Sequence, residues 1–583
     1  MKPARAVSPA LLGAVLASLF GAISASAQMI PGGATGVLGS RQGGPFYTNA
    51  RTDLTFAPIP APLPSVGGST GAGTCITQPG YNNLVCRVTD ITTENSSGTA
   101  QQQDFDTCCG GWADLPAWNS DSTMFFIQNN GSGVILVYLN DSGATAAFTP
   151  LYSGSSLDSG LIASAQWSRA NPNLFYTVGD GAGCGASTQL VEWTVNPPNA
   201  PVCGGTVFDL ATLANCAPMT GNKLMEYFVD QSGQNFYFLA GPAAQGTGYL
   251  VGEVNLSNGC RWMNTLTQQI GGNWGPTGQA AQGDTMSITA TVADGTNATY
   301  TTSASDVTAG PYRINVNDLV TVTGTTNCGG ALNVAQATVT AVSGSTFSVA
   351  STETCSSASD SGSAVHNYYI HGLRGSLDGT VEMLGPSGTE QNRHFWLMNS
   401  LNVNVDNTGQ FGTSFNNGHF TSAYSHFIFN GAHTADSQWC KLGKFSVLFA
   451  SPSSPWSALI PTQAYCGTGT YTSGDDHPSS SNDISSEDNY PVFTSTIYEP
   501  YGGTPSYAWQ NEILASSQAN LGTTWRFGAS YSTGNSSFFD CQNDIGTVSP
   551  NGKWFLFTSD WGNTLGTDAN GKNRCDVFAM KLQ

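Results

Sequence analysis

Seven times along this 583-residue chain a short polar turn runs straight into a strand of bulky apolar residues. Asn119-Ser120-Asp121-Ser122-Thr123 leads into Met124 to Ile127, Ser168 to Asn173 into Leu174 to Tyr176, Asp230 to Gln234 into Phe236 to Leu239, and Ser376 to Gly379 into Val381 to Leu384. Comparable strands lie at Tyr424 to Phe429 and Val492 to Tyr498, and Ser549-Pro550-Asn551-Gly552 feeds the aromatic run Trp554 to Phe557. The spacing is roughly fifty to seventy residues outside one larger gap. Each turn supplies the Asn, Asp, Gly or Pro that a tight reversal requires, and each strand is too short to be stable alone. Units of this kind bury their faces against one another, so the pattern predicts an all-β fold. The expected form is a seven-bladed β-propeller, whose sheets surround a central channel. At the chain end Asn570-Gly571 leads to a second apolar strand, Asp576-Val577-Phe578-Ala579-Met580, which reads as part of the inner hairpin of the last blade. An early segment, Val85 to Val88 or the stretch before it, is expected to pair with that blade and close the ring.

The gap between Pro276 and Val365 is rich in Thr, Ser, Ala and Val and has no Trp. Asp318 to Val322 and Ala337 to Val342 alternate as half-buried strands do, which predicts a small β-domain inserted into the propeller. The chain thus divides into a signal peptide at 1–27, an extended Pro- and Gly-rich segment at 28–70, propeller blades at 71–275, the insert at 276–365 and further blades at 366–583.

The signal reading rests on Lys2 and Arg5, the apolar run from Ala10 to Ile23, and Ala25-Ser26-Ala27 before Gln28, a pattern too short for a membrane anchor. It predicts a secreted or periplasmic protein without a membrane span. Loss of Lys2 and Arg5 leaves 16 basic residues against 38 acidic ones, a formal charge of −22, which opposes nucleic acid and anionic membrane as partners. In an exported chain the 14 cysteines predict disulfides, with Cys75–Cys86, Cys328–Cys355, Cys440–Cys466 and Cys541–Cys575 as the near-neighbour pairs and separate partners for Cys108 and Cys109.

All seven histidines, His366, His371, His394, His419, His426, His433 and His477, fall within one fifth of the chain. In a propeller such a cluster spans adjacent blades and can meet at the channel mouth. Gly418 and Gly431 supply turns around the His426 strand, and Asp475-Asp476-His477-Pro478 sets two carboxylates beside an imidazole. These features select His426 and His477 as catalytic or ligand-facing residues. Asp475, Asp476 and His419 are the expected ligands of a divalent cation, Ca²⁺ or Mn²⁺. Trp112, Trp509 and Trp561, near polar turns, offer flat faces on which a sugar stacks, although aromatic rings of this size also fill blade interfaces. Searches for nucleophile-elbow, Walker and dinucleotide motifs give no convincing match.

The last thirty-five residues, Ser549-Pro550-Asn551-Gly552-Lys553-Trp554 through Ser559-Asp560-Trp561 to Asp576-Val577-Phe578, resemble the last blade of secreted bacterial propellers of the oligogalacturonate lyase group. That resemblance implies a seven-bladed ring with a metal held by His and Gln at the channel mouth, for which Gln542 and the histidine cluster are the matching residues, and a basic group that removes a proton beside a uronate carboxylate. Two functional readings follow. One is a protein that binds or processes extracellular carbohydrate, by lyase-type chemistry at the histidine cluster. The other is a non-catalytic binding or scaffold protein for an extracellular glycan or cell-surface component.

Overall fold

The computed structural model describes residues 47, 50–53, 55–93, 103–104, 117–129, 133–143, 145–154, 165–179, 184–213, 216, 222–241, 250–264, 270–272, 285–307, 314, 316–367, 370–379, 381–386, 394–397, 402–403, 420–424, 426–430, 442–446, 456–458, 477–480, 482, 491–495, 508, 510–518, 524–533, 546–567 and 573–582. The fold is all-β with almost no helix. Among the described residues, seven open antiparallel sheets and one closed barrel follow each other along the chain. Sheet I holds Gln103–Asp104, Met124–Asn129, Gly133–Asp141 and Ala146–Gly154; sheet II holds Gln166–Trp167, Leu174–Val178, Gln189–Thr194 and Val202–Asp209. Sheet III runs from Lys223–Val229 through Asn235–Gly241, Leu250–Asn255 and Gly259–Asn264 to Ile270–Gly272. After the barrel, sheet IV comprises Ile370–Gly375, Val381–Pro386, His394–Leu397 and Asn402–Val403. Sheet V comprises Phe420–Ser422, His426–Asn430, Leu442–Ser446 and Trp456–Ala458, and sheet VI His477–Ser479, Val492–Ser495, Glu512–Ser516 and Thr524–Ala529.

Sheet VII joins both ends of the chain. Gly546–Val548, Trp554–Ser559 and Asp576–Lys581 are extended by Leu84–Arg87 and then Cys75–Thr77, with Val85 opposite Met580 and Arg87 opposite Phe578. Arg87 and Arg574 both donate to the Asp576 carboxylate, Arg574 through Nη2 at 2.7 Å, and all three side chains are fully buried. The hydroxyl of Thr89 donates to the same carboxylate at 3.1 Å.

Each sheet touches the next, and the last touches the first. Phe126 of sheet I stacks on Trp167 of sheet II at 4.6 Å. Tyr227 of sheet III donates to the Tyr176 carbonyl of sheet II at 2.6 Å. The amide of Gln231 donates to the Leu377 carbonyl, and those of Leu377 and Asp378 to the carbonyls of Ala423 and Tyr424, linking sheets III, IV and V. Ser480 Oγ donates to the Ser422 carbonyl, the Val548 amide donates to Ser479 Oγ, and the Asn551 amide donates to Ser122 Oγ, completing the circuit back to sheet I.

This arrangement explains why the strands read as nearly continuous apolar runs. Successive side chains of a strand point to opposite faces, and here both faces are covered. Trp554, Leu556, Val577 and Ala579 pack with Trp118, Phe125 and Ile127 toward sheet I. Their alternates Phe555, Phe557, Phe578 and Met580 pack with Phe493, Ile513 and Phe527 toward sheet VI. Met124, Phe126 and Leu136 likewise meet Trp167 and Phe175 between sheets I and II.

The barrel closes in the order Thr285–Asp294, Asn297–Thr302, Thr346–Ala350, Val334–Ser343, Leu319–Thr323, Thr354–Asn367. It has its own core, in which Tyr300 stacks on Phe347 at 5.0 Å beside Ile288, Val320, Val339 and Val349. Cys328–Cys355 bridges it, and Cys75–Cys86 bridges the first two strands of the chain, as the spacing predicts. Cys184–Cys203 and Cys216–Cys260 are two further bridges that near-neighbour spacing does not single out. Cys575 is also disulfide-bonded. Cys108, Cys109, Cys440, Cys466 and Cys541 lie outside the described residues, as does the leader at 1–27. Among the described residues no helix is long and apolar enough to cross a membrane.

Removing one partner of a buried ion pair strands the other charge, at a cost of roughly 3 to 5 kcal/mol. Asp576→Asn is therefore expected to lower the unfolding temperature clearly, because two buried guanidiniums depend on that carboxylate. Arg51→Ala, which breaks a half-exposed pair with Asp53, is expected to change stability by at most about 1 kcal/mol. Thermal unfolding of the two variants beside the parent checks the ranking.

Candidate functional site

The seven recurring units of the sequence are the second strand of each open sheet and the turn before it. In four of these turns a side chain accepts backbone amides that a tight reversal leaves unpaired. Asn119 Oδ1 accepts from the amides of Thr123 and Met124, both at 2.8 Å. Asp230 Oδ1 accepts from Gln234 and Asn235, Ser168 Oγ from Asn171, and Ser549 Oγ from Trp554. Neighbouring turns are joined to one another: Asn119 Nδ2 donates to the Pro172 carbonyl at 3.0 Å, and Gly233 sits against Ala170. Gly233 has φ 68°, in the left-handed region that favours glycine.

Of the selected histidines, His426 directly follows one of these turns, while His477 stands at the far end of its strand. His426 opens the second strand of sheet V, opposite Ser446, and His477 opens the first strand of sheet VI, opposite Ser495. These two strands pack against each other across the seam that Ser480 and Ser422 hydrogen-bond. His426 stands at the turn end of the seam and His477 three residues before Ser480, about 10 Å away along the strand. His366 belongs instead to the last barrel strand, opposite Val320, while His371 and His394 are in sheet IV. Asp475, Asp476, His419, Trp112, Trp509 and Gln542 lie outside the described residues. Trp561 is fully buried, stacked on Phe578 at 4.6 Å, with Nε1 donating to the Pro64 carbonyl at 2.9 Å. Trp118 and Trp167 are fully buried, and Trp525 nearly so. Among the described residues no three His, Cys, Asp or Glu side chains converge as a metal site.

Charged side chains inside the protein carry electrostatics that the linear pattern does not reveal. Arg526 holds Glu512 through two bonds of 2.6 Å, and Tyr81 donates to the same carboxylate at 2.6 Å, tying sheet VI to the early segment. Glu253 and Arg261 face each other across adjacent strands of sheet III at 2.8 Å. Burial pushes the Glu253 carboxyl up to about 8, against the pull of Arg261 and with help from Asp230. Burial likewise raises Asp560 above the usual carboxylate range, although the Thr533 hydroxyl and amide oppose it.

The turns also hold a residue that motif searching passes over. Arg169 follows the Ser168 anchor, is 5% exposed, and its Nη1 has no hydrogen-bond partner. The available signal was a cation at a turn position where the neighbouring units have Ser120 and Gln231, in a chain with 18 basic residues against 38 acidic ones.

No family model and no curated protein matches the chain. Among solved structures it is similar to an oligogalacturonate lyase from Vibrio parahaemolyticus, with a TM-score of 0.43 and 7% identity over 87% of this chain and 96% of that one. It is also similar to an oligogalacturonate lyase in complex with manganese, with a TM-score of 0.34 and 8% identity over 88% and 96% of the two chains. Hydrazine synthase of Kuenenia stuttgartiensis matches with a TM-score of 0.33 and 9% identity over 80% and 96%.

The raised pKa of Glu253 sets a sign. The folded state holds the proton more tightly than the unfolded chain, so this contribution to stability is complete below the ordinary value near 4.5 and is lost as pH rises through about 8. Between pH 5 and 8.5 the unfolding temperature of the parent should therefore fall relative to that of Glu253→Gln, which stays neutral throughout. Parallel curves for the two proteins would sink this assignment.

Proposed function

We propose that the protein is a secreted seven-bladed β-propeller with an inserted small β-domain at 276–365, and that it binds or processes an extracellular carbohydrate where sheets V and VI meet. The observation that carries the reading is the packing of the strand opened by His426 against the strand opened by His477. His426 and His477 stand on adjoining strands about 10 Å apart along the strand direction, a span that one sugar-sized ligand covers. Neutral imidazole accepts a proton near pH 7. On an acidic sugar, His426 or His477 takes the proton beside the carboxylate, and the electrons left behind expel the glycosidic oxygen to give an unsaturated product. The circuit of contacts through all seven sheets and the four bridges with both cysteines described support the ring and the export route.

The non-catalytic reading has one observation in its favour. Trp118, Trp167, Trp525 and Trp561 are all built into sheet interfaces, which assigns these rings to packing.

A glycan and polysaccharide screen, scored for binding and for unsaturated products with and without chelator, tests the proposal. His426→Ala and His477→Ala should each weaken binding or turnover by roughly one to two orders of magnitude with little change in unfolding temperature. Two variants that behave as the parent does would leave the scaffold reading. Limited proteolysis is expected to cut between 276 and Thr285 or just after Asn367 while both the barrel and the ring stay folded, because the barrel has a core of its own.

A further inference from the structure

Ser120, Arg169 and Gln231 occupy the same position in three consecutive turns, each directly following the anchoring residue Asn119, Ser168 or Asp230. The three turns adjoin: Asn119 bonds the Pro172 carbonyl on one side of the Arg169 turn, and Ala170 meets Gly233 on the other. Each position presents a buried polar atom without a hydrogen-bond partner, namely Ser120 Oγ, Arg169 Nη1 and Gln231 Oε1. An unpaired buried polar atom costs about 1 to 3 kcal/mol, and more when charged, so three in adjoining turns are a standing penalty unless something partners them.

Arg169 differs from the fully buried arginines. Arg87, Arg261, Arg526 and Arg574 all bond a carboxylate. Among the described residues no ion pair forms at Arg169; burial pushes it down to about 10, and it remains a cation at neutral pH. A buried guanidinium with no protein anion is matched by an anion from outside, and its planar fork fits a carboxylate best.

We propose that the turns of sheets I, II and III form a binding site for a small hydroxycarboxylate anion, with Arg169 holding the carboxylate, Ser120 Oγ donating to it, and Gln231 Oε1 accepting from the ligand hydroxyl. The site is separate from the His426 and His477 seam and does not depend on the carbohydrate reading. With a net charge of −20 the protein has no general affinity for anions, so uptake reports a local site.

The test is thermal unfolding and calorimetry of the full chain in sodium glycolate, sodium acetate and sodium chloride at equal ionic strength. Glycolate should raise the unfolding temperature by about 3 °C at concentrations far above Kd, acetate less, and chloride least. Arg169→Met should abolish the glycolate response. Without anion it should melt at or above the parent temperature, because an apolar side chain of similar size relieves an unpaired buried charge. Gln231→Leu should reduce the preference for glycolate over acetate, and His426→Ala should leave the response intact. Equal shifts with all three salts, the same glycolate response in Arg169→Met, or marked destabilisation of Arg169→Met without anion would each overturn the site, the last by showing that Arg169 is a structural residue.

Discussion

The fold depends on one seam, the pairing of Leu84–Arg87 with Asp576–Lys581. It joins strands almost five hundred residues apart, so the loop that must close before it forms is nearly the whole chain. Main-chain bonds supply the register, and the buried Asp576 carboxylate, shared by Arg87 and Arg574, makes that register specific. A slip by one residue would turn Val577 and Ala579 toward sheet VI and Phe578 and Met580 toward sheet I, exchanging large and small side chains in two cores at once. A second tie reinforces the first. Gln78 and Asn83 donate to the Ala529 and Phe527 carbonyls of sheet VI, and Tyr81 reaches Glu512, so the early hairpin is fixed to two sheets.

These ties change how the composition is read. The formal charge of −20 counts every basic residue equally, yet Arg87, Arg261, Arg526 and Arg574 are fully buried. Buried carboxylates offset them: Asp576, Glu253 and Glu512 pair with these arginines, and Asp90, Asp230, Asp318 and Asp560 are buried as well, so the surface is no more acidic than the net charge states. An interior cation is nevertheless shielded from the field of that surface.

Much of the fold was legible because its signals are local. An anchor side chain followed by a strand buried on both faces leaves the same imprint wherever it occurs, and the units at Asn119, Ser168, Asp230, Ser376 and Ser549 each mark the second strand of a sheet. The strands Thr285–Asp294 to Thr354–Asn367 carry a different imprint, alternating Thr, Ser and Val in place of continuous aromatic runs, because they enclose a small barrel core. The bridges Cys184–Cys203 and Cys216–Cys260 and the carboxylate partners of Arg87 and Arg526 were not legible, because strand register and sheet order decide them. Of the candidate site, the sequence located a histidine-rich stretch but not its division. Among the described histidines, His366 falls in the barrel, His371 and His394 in sheet IV, and His426 and His477 on strands that meet at one seam, since neighbours in sequence become neighbours in space only where consecutive sheets abut.

A fold built from repeats separates structural from functional residues in a way that single-copy folds do not. The anchor positions are filled by residues that can accept or donate in a turn, Asn119, Ser168, Asp230, Ser376 and Ser549, because each copy must make the same reversal. The position after the anchor has no such duty, and it is filled by Ser120, Arg169, Gln231, Leu377 and Pro550. Leu377 and Pro550 leave no side-chain polar atom to satisfy, whereas Ser120, Arg169 and Gln231 each leave one buried and unmatched. Packing alone would favour the apolar choice at every copy, by an amount equal to the desolvation of a hydroxyl, an amide and a guanidinium. The three polar residues stand in adjoining copies, and the most costly of them is central. A cost concentrated in this way follows the logic of a site, in which a ligand supplies the missing partners to all three at once.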